Sequence, residues 1–117
     1  MVRAPRLPKT DADMQRWCAE LEEEVSSWPG VTSRPMFGLV AFYRAKRIFA
    51  AIPRTRAVNT PYTLLLKLDA ADDDRLIASS GPGSRWAGFE MASADDIAAA
   101  LALLGRAYDR ARARGPQ

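Results

Sequence analysis

The pattern of apolar and polar positions divides the chain into a helical start, a strand-rich middle and a helical end. Met14, Trp17, Cys18, Leu21, Val25 and Trp28 recur at spacings of three and four. That is the apolar stripe of an amphipathic helix. Thr10 is positioned to cap it, with Asp13 at the capping-box position and Asp11 and Asp13 in the first turn. Pro29-Gly30 ends it. The period then shortens. Leu39–Tyr43 and Ile48–Ile52 are rich in aromatic and branched residues and read as a hairpin around the polar turn Arg44-Ala45-Lys46-Arg47. Val31–Phe37 adds an edge strand, a place that suits the donor-less Pro35. Pro53 ends the second hairpin strand and a polar loop covers residues 54–61.

Tyr62–Leu68 is a further strand, in which Leu64, Leu66 and Leu68 alternate with Leu65 and Lys67. Leu65 predicts that the sheet's second face is at least partly covered. Asp69 is expected to cap a short helix, with Asp72 at its third position, running to about Ile77. A Ser/Gly/Pro loop over 79–84 and a strand over Arg85–Met91 follow. Ser93 caps the last helix with Asp96 at the box position, and Ile97, Leu101, Leu104 and Tyr108 are its expected buried stripe. Gly105 marks a weak point there. This order predicts an α+β fold: a two-layer sandwich of an antiparallel sheet with the N- and C-terminal helices packed on one face.

The length, 117 residues, suits one such domain. It is expected over residues 11–114, after a flexible basic arm at 1–10. The longest apolar run, Ile97–Leu104, is too short to span a membrane, and no apolar segment follows the basic start. A cytoplasmic, membrane-free domain is expected.

Composition removes whole classes of chemistry. With no histidine and a single cysteine, the chain cannot build Ser-His or Cys-His nucleophile pairs, His-ligated zinc, an intramolecular disulfide or a cysteine cluster. Cys18 falls on the apolar stripe and reads as a small buried hydrophobe. Gly81-Pro82-Gly83-Ser84 lacks phosphate-loop spacing and reads as a turn. Glu22-Glu23-Glu24 and Asp72-Asp73-Asp74 are consecutive, so on a helix they diverge by about 100° and cannot converge on one ion. Glu20 and Glu24 share a face, which reads as solvated. No catalytic residue, metal site or cofactor is expected. Trp17, Trp28 and Trp86 read as core anchors.

Charge is patterned. The net charge is +3, but between residues 31 and 68 Arg34, Arg44, Lys46, Arg47, Arg54, Arg56 and Lys67 occur without an acid. Arg44, Lys46 and Arg47 crowd the hairpin tip beside Tyr43, a mixture suited to phosphate contact and base stacking. Arg106, Arg110 and Arg114 align at i, i+4, i+8. The expected partner is a nucleic acid or an acidic protein, met by Arg34, Tyr43, Arg44, Lys46, Arg47, Arg54, Arg56 and Lys67. The alternative is a protein-interaction module, such as a homodimer through a sheet edge.

Over residues 30–112 the chain resembles the N-terminal domain of TfoX/Sxy-type proteins, within the wider MmcQ/YjbR-like group. The resemblance is carried by Arg34-Pro35-Met36-Phe37-Gly38, Ile48-Phe49-Ala50, Leu66-Lys67-Leu68, Trp86 and Ala107-Tyr108. The chain departs from that group at Leu39 and in its basic 54–61 loop. The resemblance implies a frataxin-like α+β sandwich without catalytic residues and a regulatory or adaptor role. Within its motifs Met36, Phe37 and Phe49 would be core, Gly38 would serve a special backbone conformation or a close approach, and Arg34 and Lys67 would line a surface.

Overall fold

A computed structural model describes residues 7–78 and 85–112. The elements are α1 (Ala12–Ser26), β1 (Val31–Met36), β2 (Leu39–Arg44), β3 (Arg47–Pro53), β4 (Thr63–Leu66), β5 (Leu76–Ala78), β6 (Ala87–Glu90) and α2 (Ile97–Arg110). The strands form one antiparallel sheet in the order β1-β2-β3-β4-β6-β5. Both helices lie against the same face, α2 over β3 and β4 and α1 over β1 and β3. The α+β sandwich read from the sequence is the observed fold.

Alternation along the strands sorts their side chains. Val40 and Phe42 of β2, Ile52 and Ala50 of β3, Leu64 and Leu66 of β4, and Ala87 and Phe89 of β6 join the core under the helices. From α1 they meet Met14, Cys18, Leu21 and Val25; from α2 they meet Ala100, Leu103, Leu104 and Ala107. One irregularity in β2–β3 pairing, between Phe42 and Tyr43, lets Phe49 join this core as well. Buried residues continue on the second face, where Leu39, Ala41, Ala51 and Thr63 are shielded. That half-face is covered, as Leu65 predicted. Exposure returns at the other end of this face, at Tyr43, Ile48 and Lys67.

Several local expectations change. The cap of α1 is Asp11, which accepts from the Met14 amide at 2.9 Å. Thr10 instead donates to the Arg54 carbonyl at 2.8 Å. The arm is tied down before residue 11: Lys9 bridges Arg56, the Ala57 amide donates to the Pro8 carbonyl, and Arg56 donates to the Leu7 carbonyl. The segment after Leu68 is a single 3₁₀ turn, Ala70–Asp72, closed by the expected Asp69/Asp72 box. It does not continue to Ile77, because Leu76–Ala78 pairs with β6 and becomes an edge strand. The Ser93/Asp96 box caps a 3₁₀ turn that leads into α2. The α2 stripe is rotated from the expected one: Ala100, Leu103, Leu104 and Ala107 are buried, while Ile97, Leu101 and Tyr108 flank it. Small alanines let α2 sit close to the sheet. Trp17 and Trp28 flank the core rather than fill it. Gly81–Ser84 and Arg114 lie outside the described residues.

Phe37 overturns its assignment to the core. It and Gly38 form the two-residue turn between β1 and β2, with φ of 52° and 87°, as tight hairpins require. The Phe37 side chain therefore stands off the hairpin tip, 84% exposed. Met36 is partly exposed.

Candidate functional site

The basic central segment is divided by the sheet. In an antiparallel sheet the two ends of each strand lie far apart, and β3 carries Arg47 at one end and Pro53 at the other. At 3.3 Å per residue this puts Arg54 and Arg56 about 20 Å from Arg47. The seven cations close in sequence are not one patch.

At the far end the cations are consumed internally. Arg54 forms a two-pronged pair with Glu22 of α1, its Nη2 3.0 Å from Oε1. Arg56 donates to the Leu7 carbonyl at 2.9 Å. Its side chain also lies across Gly38, whose carbonyl accepts the amides of Arg54, Thr55 and Arg56 at 2.9, 2.9 and 3.1 Å. These residues lock the 54–57 loop and the incoming chain onto the β1–β2 turn.

Arg44 sits at the hairpin end but faces the helices, because alternation along β2 sends it opposite to Tyr43. Its guanidinium lies 3.9 Å from the Tyr108 ring centroid and donates to the Tyr108 carbonyl at 3.0 Å. That carbonyl belongs to the last turn of α2, whose partial negative charge favours a cation. Tyr108 is itself a hub. Its hydroxyl donates to the Pro29 carbonyl at 2.6 Å, and its ring meets Trp28 and Phe49 edge-on at 5.1 and 5.6 Å. Arg44 is therefore a structural cation.

Lys46, Arg47, Lys67, Tyr43 and Arg34 remain. Lys46 and Arg47 are exposed at the β2–β3 turn, where Ala45 takes φ of 55°. Lys67 follows β4 at the same end, with its Nζ 5.1 Å from the Trp86 ring centroid. Arg85 precedes β6, again at that end, and is exposed. Tyr43 pairs with Ile48, and Arg34 pairs with Ala41, so both project on the face away from the helices. Among the described residues, no acid lies within ion-pair distance of Arg34, Lys46, Arg47 or Lys67. Three acids on the helix side are engaged within the fold. Asp69 caps its turn, Asp72 holds Arg110 in a two-pronged pair at 2.6 and 2.9 Å, and Asp73 pairs with Arg75 and, at 4.0 Å, with Arg106. The Arg106/Arg110 face is thus an internal clamp.

Titration follows these contacts. Hydrogen bonds from Arg110 hold the Asp72 carboxyl below its ordinary range, and the Arg75 backbone and side chain do the same for Asp73. The Met14 amide and the Tyr62 hydroxyl lower Asp11. Burial pushes the Cys18 thiol up to about 12, with the Glu22 charge adding to the effect. That thiol is protonated at neutral pH and unsuited to nucleophilic work. Among the described residues no group of three or more Cys, Asp or Glu is placed to hold a metal ion, and no helix is long and apolar enough to cross a membrane.

Reading the sequence missed Arg85 and Trp86 as members of this end of the sheet. The signal that could have found them is topological: the residues just before β6 must lie beside those just after β4. Comparisons with protein-family models, with curated proteins and with solved structures found no match to this chain.

Proposed function

We propose that this is a non-enzymatic, cytoplasmic regulatory or adaptor domain of TfoX N-terminal type that contacts nucleic acid through the hairpin end of its sheet. One observation carries the reading. Among the described residues Lys46, Arg47 and Lys67 gather at one end of the sheet without an acid partner, whereas Arg44, Arg54 and Arg56 are taken up by the fold. Positive side chains left to solvent at one end of a domain suit phosphate contact. The test is fluorescence anisotropy of a labelled random-sequence DNA. Lys46→Glu combined with Arg47→Glu is expected to abolish binding, and Arg54→Ala to leave it unchanged. Equal losses from both variants would overturn the assignment of the interface.

A second reading has its own support. Phe37, 84% exposed at the opposite end, is an apolar anchor for a protein partner or a second copy. Pairing through the β1 edge is disfavoured, since Pro35 has no amide to offer. Sedimentation at monomer mass over a wide dilution range, identical for Phe37→Ser, would remove the homodimer.

A further inference from the structure

Resting on the nucleic-acid reading above, we propose that the open end of the helix-free sheet face is a docking surface for a single-stranded polynucleotide. Three observations point there. First, Lys67 shares this face with flat aromatic rings. Tyr43 projects on it beside Ile48. The Lys67 amide donates to the Phe49 carbonyl at 2.9 Å, which continues the same band onto β4, and the Lys67 ammonium lies against Trp86. Tyr43 and Trp86 are separated by three strand spacings, about 14 Å. That is a span a strand of a few nucleotides can bridge, with bases stacked on the rings and phosphates near Lys67 and the exposed turn residue Lys46; Arg47, the partner of Arg44, projects to the helix side of the same turn.

Second, charge selects the partner. Among the described strand residues, Glu90 is the acid on this face and lies at the far end of β6, so a second copy would set cations against cations. An anionic occupant meets complementary charge. Third, β2, β3, β4 and β6 are paired on both edges. Their backbone groups are spent, so an acidic peptide could not add to the face as a strand. A polynucleotide needs no backbone partner: it binds through phosphates and base faces. A duplex keeps its base faces stacked inside and could use only the cations.

The experiment compares a labelled oligo-dT of about 15 nucleotides, near the reach of a single small domain, with a duplex of equal length and with poly-glutamate. Oligo-dT is expected to bind most tightly. Tyr43→Leu, which keeps apolar cover but removes the ring, is expected to weaken it by about tenfold, and Tyr43→Phe to preserve it. Circular dichroism and the unfolding midpoint establish that each variant is folded. A duplex bound as tightly as oligo-dT, yet still sensitive to Lys46→Glu with Arg47→Glu, would overturn the single-strand assignment and leave the broader reading standing. Tight poly-glutamate binding, or oligo-dT binding unmoved by Tyr43→Leu, would overturn the docking surface. No binding of any probe would overturn both readings.

Discussion

Gly38 and Gly30 both take positive φ, +87° and +76°, yet replacing each with alanine has very different expected consequences. A Cβ in this region costs about 1–2 kcal/mol of steric strain. Alanine also narrows the unfolded ensemble, which returns about 0.4–1 kcal/mol. At Gly30 nothing lies within 4 Å of the added methyl, so Gly30→Ala should cost only about 1 kcal/mol. At Gly38 the methyl would stand 2.6 Å from Arg56 Cγ and 2.7 Å from Arg56 Cβ. Those atoms cannot swing away, because the Arg56 amide is bonded to the Gly38 carbonyl and its guanidinium to Leu7. Relieving the overlap means moving the 54–57 backbone, which adds the overpacking cost of about 1–3 kcal/mol. The difference between the variants is therefore about 2 kcal/mol, or roughly 10 °C in midpoint for a domain of this size. Urea unfolding followed by tryptophan fluorescence reads it directly. If Gly38→Ala costs no more than Gly30→Ala, the lock between the β1–β2 turn and the 54–57 loop does not exist as described. Because this lock is at the end remote from Lys46 and Arg47, a folded Gly38→Ala protein should keep its DNA affinity.

Other expectations follow from the same contacts. Cys18, buried with its thiol raised to about 12, should resist thiol reagents at neutral pH and react at the rate of global opening, measurable by labelling in increasing denaturant. Its raised value favours the folded state below the free-thiol pKa, and that contribution is lost as pH rises from about 9 toward 12. Asp11, Asp72 and Asp73 are all lowered in the folded chain. Their stabilisation is present above the ordinary aspartate value and lost as pH falls through the lowered ones, so stability should fall modestly under acid. Arg110→Ala should flatten that acid limb, as a pH series of unfolding midpoints would reveal. Tyr108→Phe should cost about 1 kcal/mol for the lost bond to Pro29. Tyr108→Ala should cost about 3–4 kcal/mol, since Trp28, Phe49 and Arg44 all lose their contact.

Sequence patterns reached far into this fold where the deciding forces are local. The α1 stripe, the β2–β3 hairpin, the edge position of β1 and the two Asp/Ser capping boxes all lie within a few residues of their determinants. They failed where pairing is distant. Leu76–Ala78 has no strand signature of its own and is extended because β6 holds it. Phe37 reads as core as a member of the Arg34–Gly38 motif, but the turn that spends it is set by the register of β1 on β2. At the candidate site, nearness in sequence suggested one basic patch. The seven residues of β3 separate its members, and strict alternation puts Tyr43 and Arg44 on opposite faces. That alternation was legible in the sequence; the distance between the sheet ends needed the strand order.

The most direct test of the central claim is the salt dependence of oligonucleotide binding. If Lys46, Arg47 and Lys67 each neutralise one phosphate of a single strand, log affinity should fall against log salt with a slope near −2, roughly 20-fold between about 50 and 200 mM. The slope should shrink by about 0.7 for each of these cations replaced by glutamine. A flat salt profile, or no binding at the lowest salt, would contradict the claim that the hairpin end of the sheet is a nucleic-acid interface.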